Sequence, residues 1–150
     1  MSTLKNIANR THRETQTYRK IKMRAHLNAD ALFATIREDF AKVPDHRAAN
    51  ASIPLADALM SGFAMFSLKD PSLLAFDERR LERPESLHGV FGVGVIPSDT
   101  QMRTILDEVV PTLIRQPFRS VFHQLQRGKV LPKLTCLGGH LLLAIDGTGI

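Results

Sequence analysis

For most of the chain, apolar residues recur with a helical period rather than a strand period. The first such stretch is Asp30 to Val43. Leu32 or Phe33, Ile36, Phe40 and Val43 fall on one stripe, Asn28 or Asp30 can cap it, and Pro44 stops it. A second helix is predicted from Pro54, a residue suited to a first turn, to about Ser67. Leu55, Leu59, Phe63 and Phe66 form its stripe, and Ala58, Met60, Ala64 and Met65 fill the other faces. A helix apolar nearly all round belongs at the centre of a bundle. The third helix opens at Asp70-Pro71, read as cap and proline, and runs to about Glu82. Leu73, Leu74 and Phe76 are expected inward, with Asp77, Glu78, Arg79 and Arg80 toward water.

Residues 85–110 carry a more specific pattern. A short helix from Glu85 to Phe91 ends at Gly92, and a loop from Val93 to Pro97 follows. Ser98 then caps a helix from Asp99 to about Val109, with Gln101 completing a capping box. Met102, Ile105, Leu106 and Val109 are its buried stripe; Thr100, Gln101, Arg103, Thr104 and Asp107 point away. Helix, glycine turn and helix with Thr, Gln and Arg near the second N-terminus suits a helix-turn-helix, in which Arg and Gln reach base edges in the major groove. The turn is longer than the usual three to four residues, so a plain helical hairpin fits as well.

A further helix is expected from Pro111 to Arg127, kinked or split at Pro117. Phe118, Val121, Phe122 and Leu125 form its stripe, and Gly128 ends it. Beyond it, Lys133 to Leu137 alternates weakly, Gly138-Gly139 signals a hairpin, and Leu141 to Ile145 reads as a short buried strand ending on Asp146-Gly147. Asp-Gly is also the commonest hairpin turn pair, so Asp146 reads equally as a turn residue. The strand pairs backwards with Lys133 to Leu137, or else the fold continues into further sequence.

Charge changes this picture. Residues 1–27 hold seven Lys/Arg against one Glu; residues 28–110 hold eight against thirteen acids; residues 111–150 hold five against Asp146 alone. Two basic regions flank an acidic middle, which points to a polyanion and first to nucleic acid. Residues 1–28 read as a basic, flexible tail, or as a weak helix from about Thr15 to Arg24. Arg13, Arg19, Lys20, Lys22 and Arg24 are the candidate phosphate contacts there, with Tyr18 beside them; Arg127 and Lys129 are candidates near the other end. One cysteine, Cys136, excludes an internal disulfide. No apolar run approaches the ~20 residues of a membrane span, so no membrane partner is expected.

Four phrases then resemble, in order, the N-terminal third of bacterial insertion-sequence transposases of the DDE type: FAMFSLKDPSLLAFD (Phe63 to Asp77), FGVGVIPSDTQMRTILD (Phe91 to Asp107), QRGK (Gln126 to Lys129) and LLLAIDGTG (Leu141 to Gly149). The resemblance covers roughly residues 37 to 150. It implies that the strand ending in DGT is the first strand of a ribonuclease-H-like core and that Asp146 is the first of three catalytic, metal-binding carboxylates. It implies transposon-end DNA as partner, a homo-oligomer or the full-length transposase as a second partner, and Mg²⁺ or Mn²⁺ as cofactor in the full-length family. The second Asp and the Glu lie downstream in that family, so this chain alone is expected to be inactive and not to hold the metal.

The expected fold is therefore mainly α. A tail over 1–28 precedes a helical DNA-binding and assembly domain over 29–128, and the truncated start of an α/β core, seen as a β-hairpin, over 129–150. A bacterial cytoplasmic, nucleoid-associated protein is implied. A haloacid-dehalogenase-type phosphatase would need an Asp where Ala144 stands, and an actin-like sugar kinase would need a long chain after its acidic turn. A non-catalytic DNA-binding product that regulates transposition, and a decayed reading frame, remain as alternatives.

Overall fold

Six α-helices and one short hairpin make up the computed structural model, which describes residues 27–136 and 138–141. The helices are α1 (Ala29–Phe40), α2 (Leu55–Ser67), α3 (Leu73–Glu82), α4 (Glu85–Gly89), α5 (Asp99–Asp107) and α6 (Arg115–Arg127). A 3₁₀ turn (Leu131–Leu134) leads into β1 (Thr135–Cys136) and β2 (His140–Leu141). The described chain is mainly helical, as its periodicity predicts.

The nearly all-apolar α2 lies at the centre. It packs against α1 on one side and α5 on another; α1 also packs on α6, and α5 on α3. Ala58, Met60 and Ala64 are fully buried on α2, together with Phe76 of α3, Leu87 of α4 and Met102 of α5. Burying each large apolar side chain contributes roughly 1.5–3 kcal/mol. Phe33, Phe63 and Phe91 form an aromatic cluster with centroids 5.0–6.1 Å apart, which fastens the loop after α4 to α1 and α2.

Several predicted boundaries move, each for a local reason. Asn28, not Asp30, caps α1, its side chain accepting from the Ala31 N–H at 2.8 Å. The same helix stops at Phe40 rather than Val43, in a turn where the Ala41 N–H donates back to the Arg37 carbonyl. Ser72, not Asp70, caps α3. Asp70 instead accepts a two-pronged pair from Arg79, its two nearest contacts being 2.6 and 2.9 Å. Leu74 and Phe66, both expected inward, are exposed. The Glu85 helix ends at Gly89 and the Asp99 helix at Asp107, each two residues short of expectation.

The largest correction concerns α6. It starts at Arg115, so Pro117 is its third residue. The amides of a first turn have no acceptor within the helix, and proline there breaks nothing. The predicted kink is therefore absent, and Pro117 is buried. The predicted stripe is also only half correct: Val121 and Leu125 are half-buried, whereas Phe118 and Phe122 are exposed.

The hairpin pairs backwards, antiparallel, with Thr135 opposite Leu141 and Cys136 opposite His140. Gly138 and Gly139 turn it at φ 78° and 109°, values that favour glycine. Lys133 and Leu134 are taken up by the 3₁₀ turn, which shortens the predicted first strand. The predicted helix over Thr15 to Arg24, and the strand beyond Leu141 with Asp146, lie outside the described residues.

Candidate nucleic-acid interface

The connection between α4 and α5 is fixed by a carboxylate. Asp57, buried in the first turn of α2, accepts from Arg37 of α1 at 2.7 Å through Oδ1 and from the Val95 N–H at 2.8 Å through Oδ2. Gly94 lies so close that a Cβ there would stand 3.0 Å from Asp57 Oδ2. The Val93 N–H donates to the Leu87 carbonyl at 3.1 Å, and His88 Nδ1 meets the Val93 carbonyl at 2.6 Å. Val93 and Pro97 are buried. The phrase GVGVIP is thus a rigid connector that delivers Ser98 to the start of α5.

Ser98 caps α5 reciprocally with Gln101: Ser98 Oγ accepts from the Gln101 N–H at 3.4 Å, and Gln101 Oε1 accepts from the Ser98 N–H at 3.0 Å. Thr100, Gln101 and Arg103 are all exposed, as expected. They are not equally available. The Thr100 hydroxyl donates to Asp99 Oδ1 at 3.0 Å, and the Gln101 carbonyl is occupied by the cap. Arg103 makes no hydrogen bond or ion pair among the described residues. Beside them a depression of about 280 Å³ reaches Arg47, whose guanidinium is itself held by Asp45 and the Ile53 carbonyl. Arg47 in turn draws the Asp45 carboxyl down to about 2. Nine residues separate α4 from α5, and α5 packs on α2 and α3. This departs from a helix-turn-helix, in which the turn has three or four residues.

The other described candidates lie elsewhere. Arg127 is the last residue of α6, and Lys129 follows Gly128; both are exposed. The helix ends in a Schellman motif: the Val130 N–H donates to the Leu125 carbonyl and the Lys129 N–H to the Gln126 carbonyl, both at 3.0 Å. Lys129 therefore takes the left-handed position, φ 53°. Gly128 leaves room for the side chain of Leu27, which a Cβ there would overlap. Leu27 is the last residue of the basic N-terminal stretch in the sequence. Arg13, Arg19, Lys20, Lys22 and Arg24 lie outside the described residues. The helix that carries this Leu27–Gly128 corner, α6, packs chiefly on α1.

The seam that holds α6 on α1 is polar. Gln124 donates to Thr35 Oγ1 at 2.7 Å, and one turn away Lys42, then Ser120, hold the Asp39 carboxyl below the usual carboxylate range. Sequence reasoning passed over this seam, the Asp57 hub and the Leu27–Gly128 contact. An Asp inside an otherwise apolar helix was the one legible signal among them.

Among the described residues, no three His, Cys, Asp or Glu side chains gather as a metal site. Asp39, Asp45, Asp57, Asp70 and Asp77 each accept from a basic side chain instead, so these residues do not form a two-ion centre. No helix among them is long and apolar enough to cross a membrane. Comparison with known protein families, with curated proteins and with solved structures finds no match.

Proposed function

We propose that this chain binds double-stranded DNA as the N-terminal part of a DDE-type transposase, with phosphates held at the corner where Leu27 meets Gly128. The observation that supports the reading is that contact: Leu27, the last residue of the basic N-terminal stretch, lies against Gly128, which stands between Arg127 and Lys129 in the sequence. A cluster of cations around one point suits the phosphate backbone and is indifferent to sequence. Sequence preference is assigned to α5, where Arg103 is the free donor and Thr100 and Gln101 assist. In this reading the hairpin at Thr135 opens a ribonuclease-H-like core and Asp146 is its first carboxylate. Strand transfer at such a core needs two further carboxylates besides Asp146.

Binding to transposon-end and unrelated duplexes, measured by fluorescence anisotropy across a salt series, tests this. Each phosphate contact removed should flatten the slope of log affinity against log salt by about 0.9. Removing residues 1–26, or changing both Arg127 and Lys129 to Ala, should flatten it on both duplexes. Arg103→Ala should instead reduce the preference between them, by about 1–3 kcal/mol for a bidentate base contact. A slope and preference unmoved by all three changes would refute the assignment.

A further inference from the structure

The segment that joins α1 to α2 lies alongside α5. His46 Nε2 stands 3.3 Å from Glu108 Oε2 at the C-terminal cap of that helix. Near the other end, Arg47, Ser52 and Ile53 share the depression of about 280 Å³ with Thr100, Gln101 and Thr104. At 3.6 residues per turn, Arg103, Thr100, Thr104 and Gln101 follow one another in that order around α5. All four are exposed. Arg103 therefore bounds one edge of this polar arc, and Arg47 stands at the other edge, beside Gln101. The Arg47 guanidinium is fixed in place. Its Nε donates to Asp45 Oδ1 at 2.9 Å, and its Nη2 donates to Asp45 Oδ2 and to the Ile53 carbonyl, both at 2.8 Å. The Arg47 N–H also donates to Asp45 Oδ1, at 3.0 Å. The donors on Nη1 meet no acceptor among the described residues.

We propose that Arg47 is a second base-reading arginine, whose Nη1 meets the major-groove edge of a guanine while Arg103 reads a different base pair from the opposite edge of α5. The inference rests on the reading of α5 as the face turned to duplex DNA. Three observations favour it. First, the side chain keeps 19% exposure and lines an open depression, so its unused donors can be reached. Second, the guanidinium is held on one side by a two-pronged carboxylate pair and a carbonyl, so it needs no further ordering when a base arrives. Third, the charge of Asp45 offsets that of Arg47. The pair adds little attraction for phosphates, and what remains is a directional donor, which suits a base edge better than the backbone. Guanine is the natural match, because its N7 and O6 are neighbouring acceptors for an arginine. Asp45 is then a positioning residue that acts through Arg47.

The test uses the full chain and a duplex that it selects from a randomised pool, with each base pair of that duplex then replaced in turn. Affinities are read by fluorescence anisotropy. The unaltered chain should lose about fivefold to 150-fold when a contacted pair is replaced. Arg47→Ala should abolish that discrimination at one G·C pair, and Arg103→Ala should abolish it at another. Neither change should alter the slope of log affinity against log salt. Arg47→Lys keeps the charge and can still pair with Asp45, but it lacks the rigid second nitrogen, so it should not restore discrimination. Asp45→Ala should relax the same G·C pair as Arg47→Ala. A merely structural role for Arg47 would weaken binding to every duplex alike, and that result would overturn the proposal. So would a profile unchanged in both Arg47 variants, or a salt slope flattened by about 0.9 in Arg47→Ala, the mark of a phosphate contact. If Arg103→Ala relaxes one position while the Arg47 variants relax none, this inference fails and the reading of α5 stands. A chain that selects no sequence overturns both.

Discussion

Two lysines stand where helices commonly end on glycine. Lys69 follows α2 at φ 58° and Lys129 follows α6 at φ 53°. In both, the residue beyond donates to the carbonyl three places inside the helix end: Asp70 to Met65 at 3.1 Å, Val130 to Leu125 at 3.0 Å. A side chain with a Cβ is strained in this left-handed conformation by about 1–2 kcal/mol relative to glycine. A cation at a helix C-terminus returns part of that, about 0.3–1 kcal/mol, through the helix dipole. The strain exceeds the return, so Lys129→Gly and Lys69→Gly should each raise stability, by up to about 1 kcal/mol in urea unfolding. Their effects on DNA should differ. Lys129 stands at the corner with Leu27 and Arg127, whereas Lys69 precedes Asp70 in the acidic middle of the chain. Lys129→Gly should lower DNA affinity and flatten its salt slope by about 0.9, while Lys69→Gly leaves both unchanged. Equal losses from the two changes would show that net charge alone governs binding.

At the scale of the element, α5 shows what a local motif can and cannot reveal. Its cap, its capping box and its buried Met102 and Ile105 are written in the residues themselves, and the helix forms from Ser98 as predicted. What Gln101 does there was not legible: the pairing that makes the box takes up the oxygen it would offer to a base. Ser98→Ala should therefore cost about 1 kcal/mol of stability and loosen the turn that carries Thr100 and Gln101. Hydrogen exchange of the first α5 amides should quicken in that variant while those of α2 stay protected. If the α5 amides keep their protection, the cap is not what holds the turn. For the same reason a loss of binding in Gln101→Ala would be ambiguous between cap and contact, and Arg103→Ala is the cleaner probe. The opposite case is α6. Its amphipathic pattern announced a helix, yet which face would be covered depended on a non-local choice. Thr35 on α1 offers a polar partner to Gln124, and with α6 seated on α1 in this way Phe118 and Phe122 are left exposed. A helical period identifies an apolar stripe but not the surface that will cover it. Asp57 was hidden similarly, since its partners Arg37 and Val95 come from distant parts of the chain.

At the scale of the whole molecule, the aspartates paired with arginine hold elements of the fold together. Asp57 holds α1, α2 and the loop before α5 together, Asp70 anchors α3 through Arg79, and Asp45 fixes Arg47 beneath the Ile53 carbonyl. A two-ion centre needs several carboxylates free to face one point, since Mg²⁺ takes near-octahedral oxygen ligands. None of these acids can turn to meet Asp146 without breaking an ion pair that the fold uses. Asp146 in this 150-residue chain should then bind a divalent cation no better than any single exposed carboxylate. A preformed site with a dissociation constant a hundredfold below the free metal concentration would add about 2.7 kcal/mol of stability, several degrees in melting temperature. Millimolar Mg²⁺ or Mn²⁺ should instead leave the melting temperature of the chain unmoved within about a degree, once ionic strength is matched. Asp146→Asn should change neither the melt nor the affinity for DNA. The outcome that sinks this expectation is a metal-dependent rise in melting temperature, or metal-dependent nicking of DNA, that disappears in Asp146→Asn. Either would mean that a second copy of the chain, or acids such as Asp99, Asp107 or Glu108, complete the site around Asp146.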